Sequence, residues 1–296
     1  MKTFRYIFVL LFVFICLICN AENTFPTNYR DHNKINTCKN LLQKYTLDEL
    51  SMMISTGNFD DIYVGDYIEM EMTTENITSA NTSRTEKVRW LVAAIDYFRH
   101  RTDVDLIDHH IVLVAEDCFV DQHRINSGSN TANGFAGSEM YVTTLPKYDT
   151  AIINAFGSSH VLSYHQLLTT STNTTAPSMS GGTGCSNNWA WANGSGTNPH
   201  ITKLCLMSEP QLYKTTVFSS SFYDIGINNS QFPLFAQLPE KIRCGRGFNT
   251  SASARNSFWL SSVVSTTYFA CCYNSGYAYN YDASSSFGVR PYFLFK

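Results

Sequence analysis

The sequence predicts an α+β fold of small antiparallel sheets, two flanking helices and long irregular loops. Three observations predict it: short strand-like apolar runs recur over residues 60–115, a helical stripe occupies residues 138–156, and three hydrophobic segments separated by polar turns close the chain.

Each element follows from its local pattern. Residues 38–54 carry Leu41, Leu42, Tyr45, Leu50 and Met53 at amphipathic-helix spacing, with Thr46 and Asp48 interrupting near the middle. Residues 61–68 alternate apolar and polar, as a half-buried strand does. Residues 88–98 form a mostly apolar run, and Ile111–Ala115 reads as a short buried strand. A polar turn rich in Thr and Asn lies among these strands. In residues 138–156, Ala151, Ile152, Ala155 and Phe156 form a stripe that Gly157 is placed to cap. Pro146 implies a break or a second helix starting there, and a further helix is expected over residues 163–169. Residues 171–200 are a Ser/Thr/Gly/Asn tract whose stretch 178–184 reads as an exposed loop. A strand over residues 201–207 and a short helix from Glu209-Pro210 follow. Phe258-Trp259-Leu260, Tyr268-Phe269-Ala270 and residues 287–295 then make an antiparallel hairpin system that ends in a buried strand.

The N-terminus reads as an export signal. Lys2 and Arg5 precede 14 uncharged residues, 6–19, and Cys19-Asn20-Ala21 approximates a small-x-small cleavage site. A membrane span needs about 20 residues, so residues 1–21 are expected to be a signal peptide and the mature chain to be secreted without stable membrane insertion. Cleavage leaves 19 of the 21 Lys and Arg residues against 24 Asp and Glu, a net charge of −5. Without a basic face, nucleic acid is not an expected partner. Residues 22–58 form a helical arm or linker, and residues 60–296 the main domain.

Seven cysteines remain after cleavage: Cys38, Cys118, Cys185, Cys205, Cys244, Cys271 and Cys272. An oxidising compartment permits disulfides, and Cys205 with Cys185 or Cys244 is the pairing considered. The odd count leaves at least one thiol over. Adjacent Cys271 and Cys272 on a strand point to opposite faces, so at most one is expected in the core. Sequons at Asn76, Asn81, Asn173, Asn193, Asn228 and Asn249 mark candidate glycan acceptors.

Val64-Gly65-Asp66-Tyr67-Ile68, residues 109–118, Gly134-Phe135-Ala136-Gly137-Ser138, residues 151–170, Leu206-Met207-Ser208-Glu209, Gln231-Phe232-Pro233-Leu234-Phe235 and residues 258–295 share one further property. Together they resemble a domain family of unassigned function, frequent in phage tail-associated and mobile-element proteins of gut bacteria. The likeness spans about residues 60–296, and Gly288-Val289-Arg290-Pro291 is its most specific element. That family is similar to C-type-lectin-like folds, including retroelement-diversified receptor-binding proteins and formylglycine-generating enzymes. The resemblance implies a C-type-lectin-like fold that binds a partner through its loops. It also implies a structural Arg290 and a structural Trp259. Two departures stand out. Trp259-Leu260-Ser261 replaces the family's Trp-Leu-Arg, and the signal peptide points to a cellular secreted protein rather than a virion part.

The candidate ligand contacts are Tyr273, Asn274, Tyr277, Tyr279 and Tyr281, in a Tyr/Asn/Ser/Gly segment with the chemistry of a paratope. Alternation places the rings on one face, where they could stack on a sugar or a protein surface. Trp189 and Trp191, in a glycine-rich loop, are candidates for the same face. Arg290, buried between strands, would need a carboxylate, with Asp96 or Glu209 considered, or several carbonyls. His109-His110 and Glu116-Asp117 sit at opposite ends of one strand, so one metal cannot use both. No metal or cofactor is expected. Ser159, His160, His165, Cys271 and Cys272 form no catalytic motif, and no enzymatic activity is expected. A phage-derived structural or adhesin-like role and an oxidase like the formylglycine-generating enzymes are the alternatives.

Overall fold

The computed structural model describes residues 32–36, 38–74, 84–172, 203–219, 223–224, 227–237, 245–246 and 255–296. Among them the chain is mixed α+β, with two five-stranded sheets, two two-stranded ribbons and few helices.

The first sheet is entered through a turn. Gly65 takes φ +92°, and the buried Asp66 carboxylate accepts from the backbone N–H groups of Lys39 and Tyr63, both at 3.0 Å. The strand expected over residues 61–68 therefore begins only at Tyr67. Its apolar positions, Ile62 and Val64, are buried by a turn that a carboxylate holds shut, not by a pleated ribbon. β1 (Tyr67–Thr74) pairs antiparallel with β2 (Arg84–Ile95), which contains most of the apolar run expected at 88–98. β2 then pairs with β4 (Ile111–Ala115), β4 with β14 (Pro291–Phe295) and β14 with β7 (Leu204–Leu206), all antiparallel.

The C-terminal strand thus lies inside this sheet, and every residue of β4 and β14 is buried. Successive side chains of β14 point to opposite faces, and both faces are covered. Phe293 meets Trp90 and Phe156, with centroids at 4.9 and 5.0 Å. Tyr292 meets Phe98 and Phe232 at 5.7 and 5.5 Å. Edge-to-face and offset pairs of this kind add to the area the rings bury.

The second sheet has the order β12-β11-β10-β13-β5. β10 (Phe258–Val263), β11 (Tyr268–Cys272) and β12 (Ala278–Asp282) form an antiparallel meander; of the three segments expected to build it, 258–260 and 268–270 do, whereas 287–295 lies outside it and 278–282 takes its place. β13 (Phe287–Gly288) runs parallel to β10, and β5 (Gln122–His123) pairs antiparallel with β13. The segment Gly288-Val289-Arg290-Pro291 carries the chain from this sheet into β14 of the first. Pro291 opens its strand, a position proline tolerates.

The α-helices wholly within the described residues are α1 (Leu47–Ser55), α2 (Leu145–Phe156), α3 (Glu209–Tyr213) and α4 (Pro233–Gln237). The helix expected over 38–54 is split. Leu41–Gln43 is a 3-10 turn, and Thr46 N-caps α1 in a capping box with Glu49. Leu41, Leu50 and Ile54 are fully buried, and Asn40 bridges to Tyr67, so the described part of residues 22–58 packs onto the first sheet. α2 follows a π-helical turn, Met140–Thr144, without interruption. Pro146 sits in its first turn, where no intrahelical donor is lost, and Gly157 ends it at φ +89°.

The further helix expected over 163–169 is absent. Leu162 N donates to Leu294 O and Leu167 N to Asp103 O, both into other segments. β6 (His165–Gln166) pairs with β3 (Val104–Asp105) as a ribbon, and β8 (Gly245–Arg246) pairs with β9 (Arg255–Asn256) as another. No helix among the described residues is long and apolar enough to cross a membrane.

Candidate ligand-binding face

β12 is an edge strand of the second sheet, reached from β11 by a tight hairpin. Tyr273 N donates to Tyr277 O at 2.9 Å and Gly276 N to Tyr273 O at 2.8 Å. Gly276 takes φ +93°, a conformation that favours glycine. Two further contacts pin the tip. Asn274 N donates to Ser257 Oγ at 3.0 Å, and Tyr213 Oη, from α3, donates to Gly276 O at 3.2 Å.

This hairpin brings the four candidate tyrosines together. Tyr273 stacks on Tyr277 at 5.2 Å, Tyr277 meets Tyr279 edge-on at 6.2 Å, and Tyr279 meets Tyr281 at 5.3 Å. Tyr281 then meets Phe287 at 4.8 Å, and Phe287 meets Trp259 at 4.8 Å. Tyr277 is 51% exposed and Tyr279 41%, while Trp259 is fully buried. The result is a row of rings, open at the hairpin and rooted in the core. Asn274 is exposed at the tip. Trp189 and Trp191 lie outside the described residues.

The sequence reading missed two members of this face. Phe218 meets Tyr279 edge-on at 5.9 Å, and Val217 beside it is 53% exposed. The loop that carries them is fixed from beneath. The fully buried Glu209 carboxylate accepts from the backbone N–H groups of Val217, Phe218 and Ser219 at 3.0, 3.1 and 2.7 Å. The signal available was a lone acid opening α3, and it said nothing about which amides it would hold.

Trp259 and Arg290 are fully buried. The Trp259 indole N–H donates to His123 O at 2.8 Å. Arg290 donates from Nε to Ala115 O at 2.8 Å and lies over the rings of Phe258 and Phe235 at 5.3 and 5.4 Å. Neither carboxylate considered for it is its partner. Asp96 holds His109 at 2.6 Å and the His110 backbone N–H at 2.8 Å, and Glu209 holds the loop just described.

Both Cys271 and Cys272 are fully buried, against the expectation of one. Both faces of their strand are covered at this point, and four of the five residues of β11 are buried. Burial pushes the thiols of Cys118 and Cys271 well above the ordinary range, and that of Cys205 up to about 12, so none is a thiolate at neutral pH. No disulfide joins the described cysteines; Cys185 and Cys244 lie outside them. His160 pairs with Asp48 at 3.0 Å and His165 with Asp105 at 3.6 Å, at separate places. Among the described residues no group of three His, Cys, Asp or Glu could hold a metal ion. Of the sequons, Asn228 is described and exposed; the other five acceptor asparagines lie outside.

No family model matches the chain, and no curated protein or solved structure matches it.

Proposed function

We propose that this chain is a secreted, non-enzymatic recognition protein that binds an extracellular glycan through the tyrosine row of the β11–β12 hairpin. Its domain is of the C-type-lectin-like kind, acquired from a phage-related source. The observation that carries the reading is the row itself. Tyr273 and Tyr277 in the hairpin and Tyr279 and Tyr281 on the edge strand β12 touch in succession, and Phe218 extends the row to one side. Such rings offer broad apolar faces at low entropic cost, and their hydroxyls stay wet. The hairpin is pinned at both Asn274 and Gly276, so little ordering remains to be paid on binding. Small antiparallel sheets, few helices and long connections support the lectin-like assignment. The charged start and apolar run of residues 1–21 support secretion. Protonated, buried thiols at Cys118 and Cys271 support binding over an oxidase that needs a reactive thiolate.

An array of glycans and surface proteins, read with wild type, Tyr277→Ala and Tyr279→Ala, tests it. Wild type should bind a restricted set of glycans, and both variants should lose that set while their circular dichroism is unchanged. Identical profiles for all three proteins would remove the site. A wild-type profile confined to proteins would keep the face and replace the ligand class.

A further inference from the structure

The aromatic row does not end at Phe287. Phe287 lies directly opposite His123 in the β13–β5 pair, so the two side chains share a face. The Trp259 indole beneath donates to His123 O. Beyond His123 a cavity of about 200 Å³ opens, lined by His123, Arg124, Glu139, Thr144 and Lys147. A single water needs only on the order of 15 Å³, so the cavity admits a polyatomic group.

We infer that this cavity takes the anionic group, a carboxylate or a sulfate ester, of an acidic saccharide whose uncharged rings lie along the tyrosine row. The inference rests on the glycan reading above and names the ligand's class.

The lining is polar and carries more positive than negative charge. Arg124 and Lys147 line it with one carboxylate, Glu139, and Asp121 lies close enough to act on His123. Burial holds the pKa of His123 below its ordinary value, so the imidazole adds donors and acceptors rather than charge. Its Nε2 lies 3.1 Å from Tyr148 Oη, which fixes the ring. Glu139 stands 3.6 Å from Arg124 Nε, and both are about half exposed. An exposed pair at that distance contributes little, so an incoming anion can take the guanidinium, and Glu139 can accept a sugar hydroxyl. The second, independent observation is the backbone. Met140–Thr144 is a π-helical turn running into α2. Such turns are rare, cost good hydrogen-bond geometry and occur frequently at functional sites. This one ends at Thr144, and Lys147, three residues on, falls on the same side of the helix. Both line the cavity.

Two measurements test the cavity and separate it from the tyrosine row. The first compares matched acidic and neutral forms of the same saccharides, sulfated against desulfated and uronic acid against its reduced alcohol. They are bound to wild type, Arg124→Gln, Lys147→Gln and Tyr279→Ala. Wild type should prefer the acidic forms about tenfold, a difference that one charge-assisted contact supplies. The two glutamine variants should lose the preference and keep neutral binding and thermal midpoint. The second titrates inorganic sulfate against chloride at fixed ionic strength and follows the His123 ring by NMR. Sulfate should move it in wild type and not in Arg124→Gln. Binding that falls in Tyr279→Ala but shows no acidic preference, with a silent His123, overturns the cavity alone. An acidic preference that survives Tyr279→Ala and falls in Arg124→Gln upholds the cavity and faults the row. Binding of no saccharide by wild type overturns both. A response confined to acidic peptides overturns the saccharide.

Discussion

Gly288 and Arg290 hold the place where the chain leaves one sheet for the other. A Cβ on Gly288 would stand 2.8 Å from Cys118 Sγ and 3.1 Å from Ser257 O. Gly288→Ala should therefore destabilise by about 1–3 kcal/mol, the usual scale for overpacking. Adding Cys118→Ala should restore part of that loss, which a double-mutant cycle in urea would measure. Additive losses would show that the Sγ contact is not the cause, since alanine keeps the Cys118 Cβ, 2.9 Å away, in place. Arg290, expected to be buried between strands with a carboxylate or several carbonyls as partners, is fully buried. Its partners were not legible, since a backbone carbonyl and two ring faces leave no mark in a sequence. The same limit hid Glu209, whose acceptor role is to three amides eight to ten residues downstream. Glu209→Gln should speed amide exchange at Val217, Phe218 and Ser219 by about tenfold, the cost of weakening charge-assisted hydrogen bonds. Unchanged exchange would mean the loop holds its shape without the carboxylate.

At the scale of elements, strands buried on both faces were the easiest to read. Ile111–Ala115 stands where its apolar run lies, because no polar residue interrupts it, whereas the run at 287–295 is cut at Val289-Arg290 into two strands of different sheets. Two segments misled, and for one reason. Over residues 61–66 and 163–169 the apolar residues are buried, but the backbone bonds to side chains or distant segments rather than to its own repeat. Periodicity reports burial and says nothing of where the hydrogen bonds go. Thr46 is the converse case. It looked like an interruption in one helix and is the cap that starts another. Thr46→Ala should cost about 1 kcal/mol by denaturant unfolding, and a loss near zero would show that tertiary packing alone sets the start of α1.

Across the whole molecule, buried ionisable groups set a pH dependence. Burial raises the carboxyl pKa of Glu86 and of Asp149 to about 7 and that of Asp224 to about 6. Each keeps its proton longer in the folded state than in the unfolded one, so its contribution is full near pH 4 and is lost as pH rises through the folded value. His110 and His123 act oppositely. Burial lowers both, His110 to about 4, and their contribution is lost as pH falls below about 6.5. Three carboxyl groups outweigh two imidazoles, so the thermal midpoint should drop by about 4 °C between pH 5.5 and pH 7.5. Glu86→Gln should raise the midpoint more at pH 7.5 than at pH 5.5 and leave it nearly unchanged near pH 4. A midpoint that rises with pH would contradict this. The proposed face was half legible at this scale. Tyrosine spacing marked the row, whereas Phe218, Phe287 and the cavity beyond His123 join it only through tertiary packing. The claim that this row makes the binding surface is tested most directly by isothermal titration. The strongest glycan from the array would be titrated into wild type, Tyr277→Ala, Tyr279→Ala and the double variant. Each single variant should bind about tenfold more weakly, the effect of losing roughly 1.4 kcal/mol of ring contact. The double variant should show no detectable heat while keeping its thermal midpoint; full affinity in a folded double variant would contradict the account.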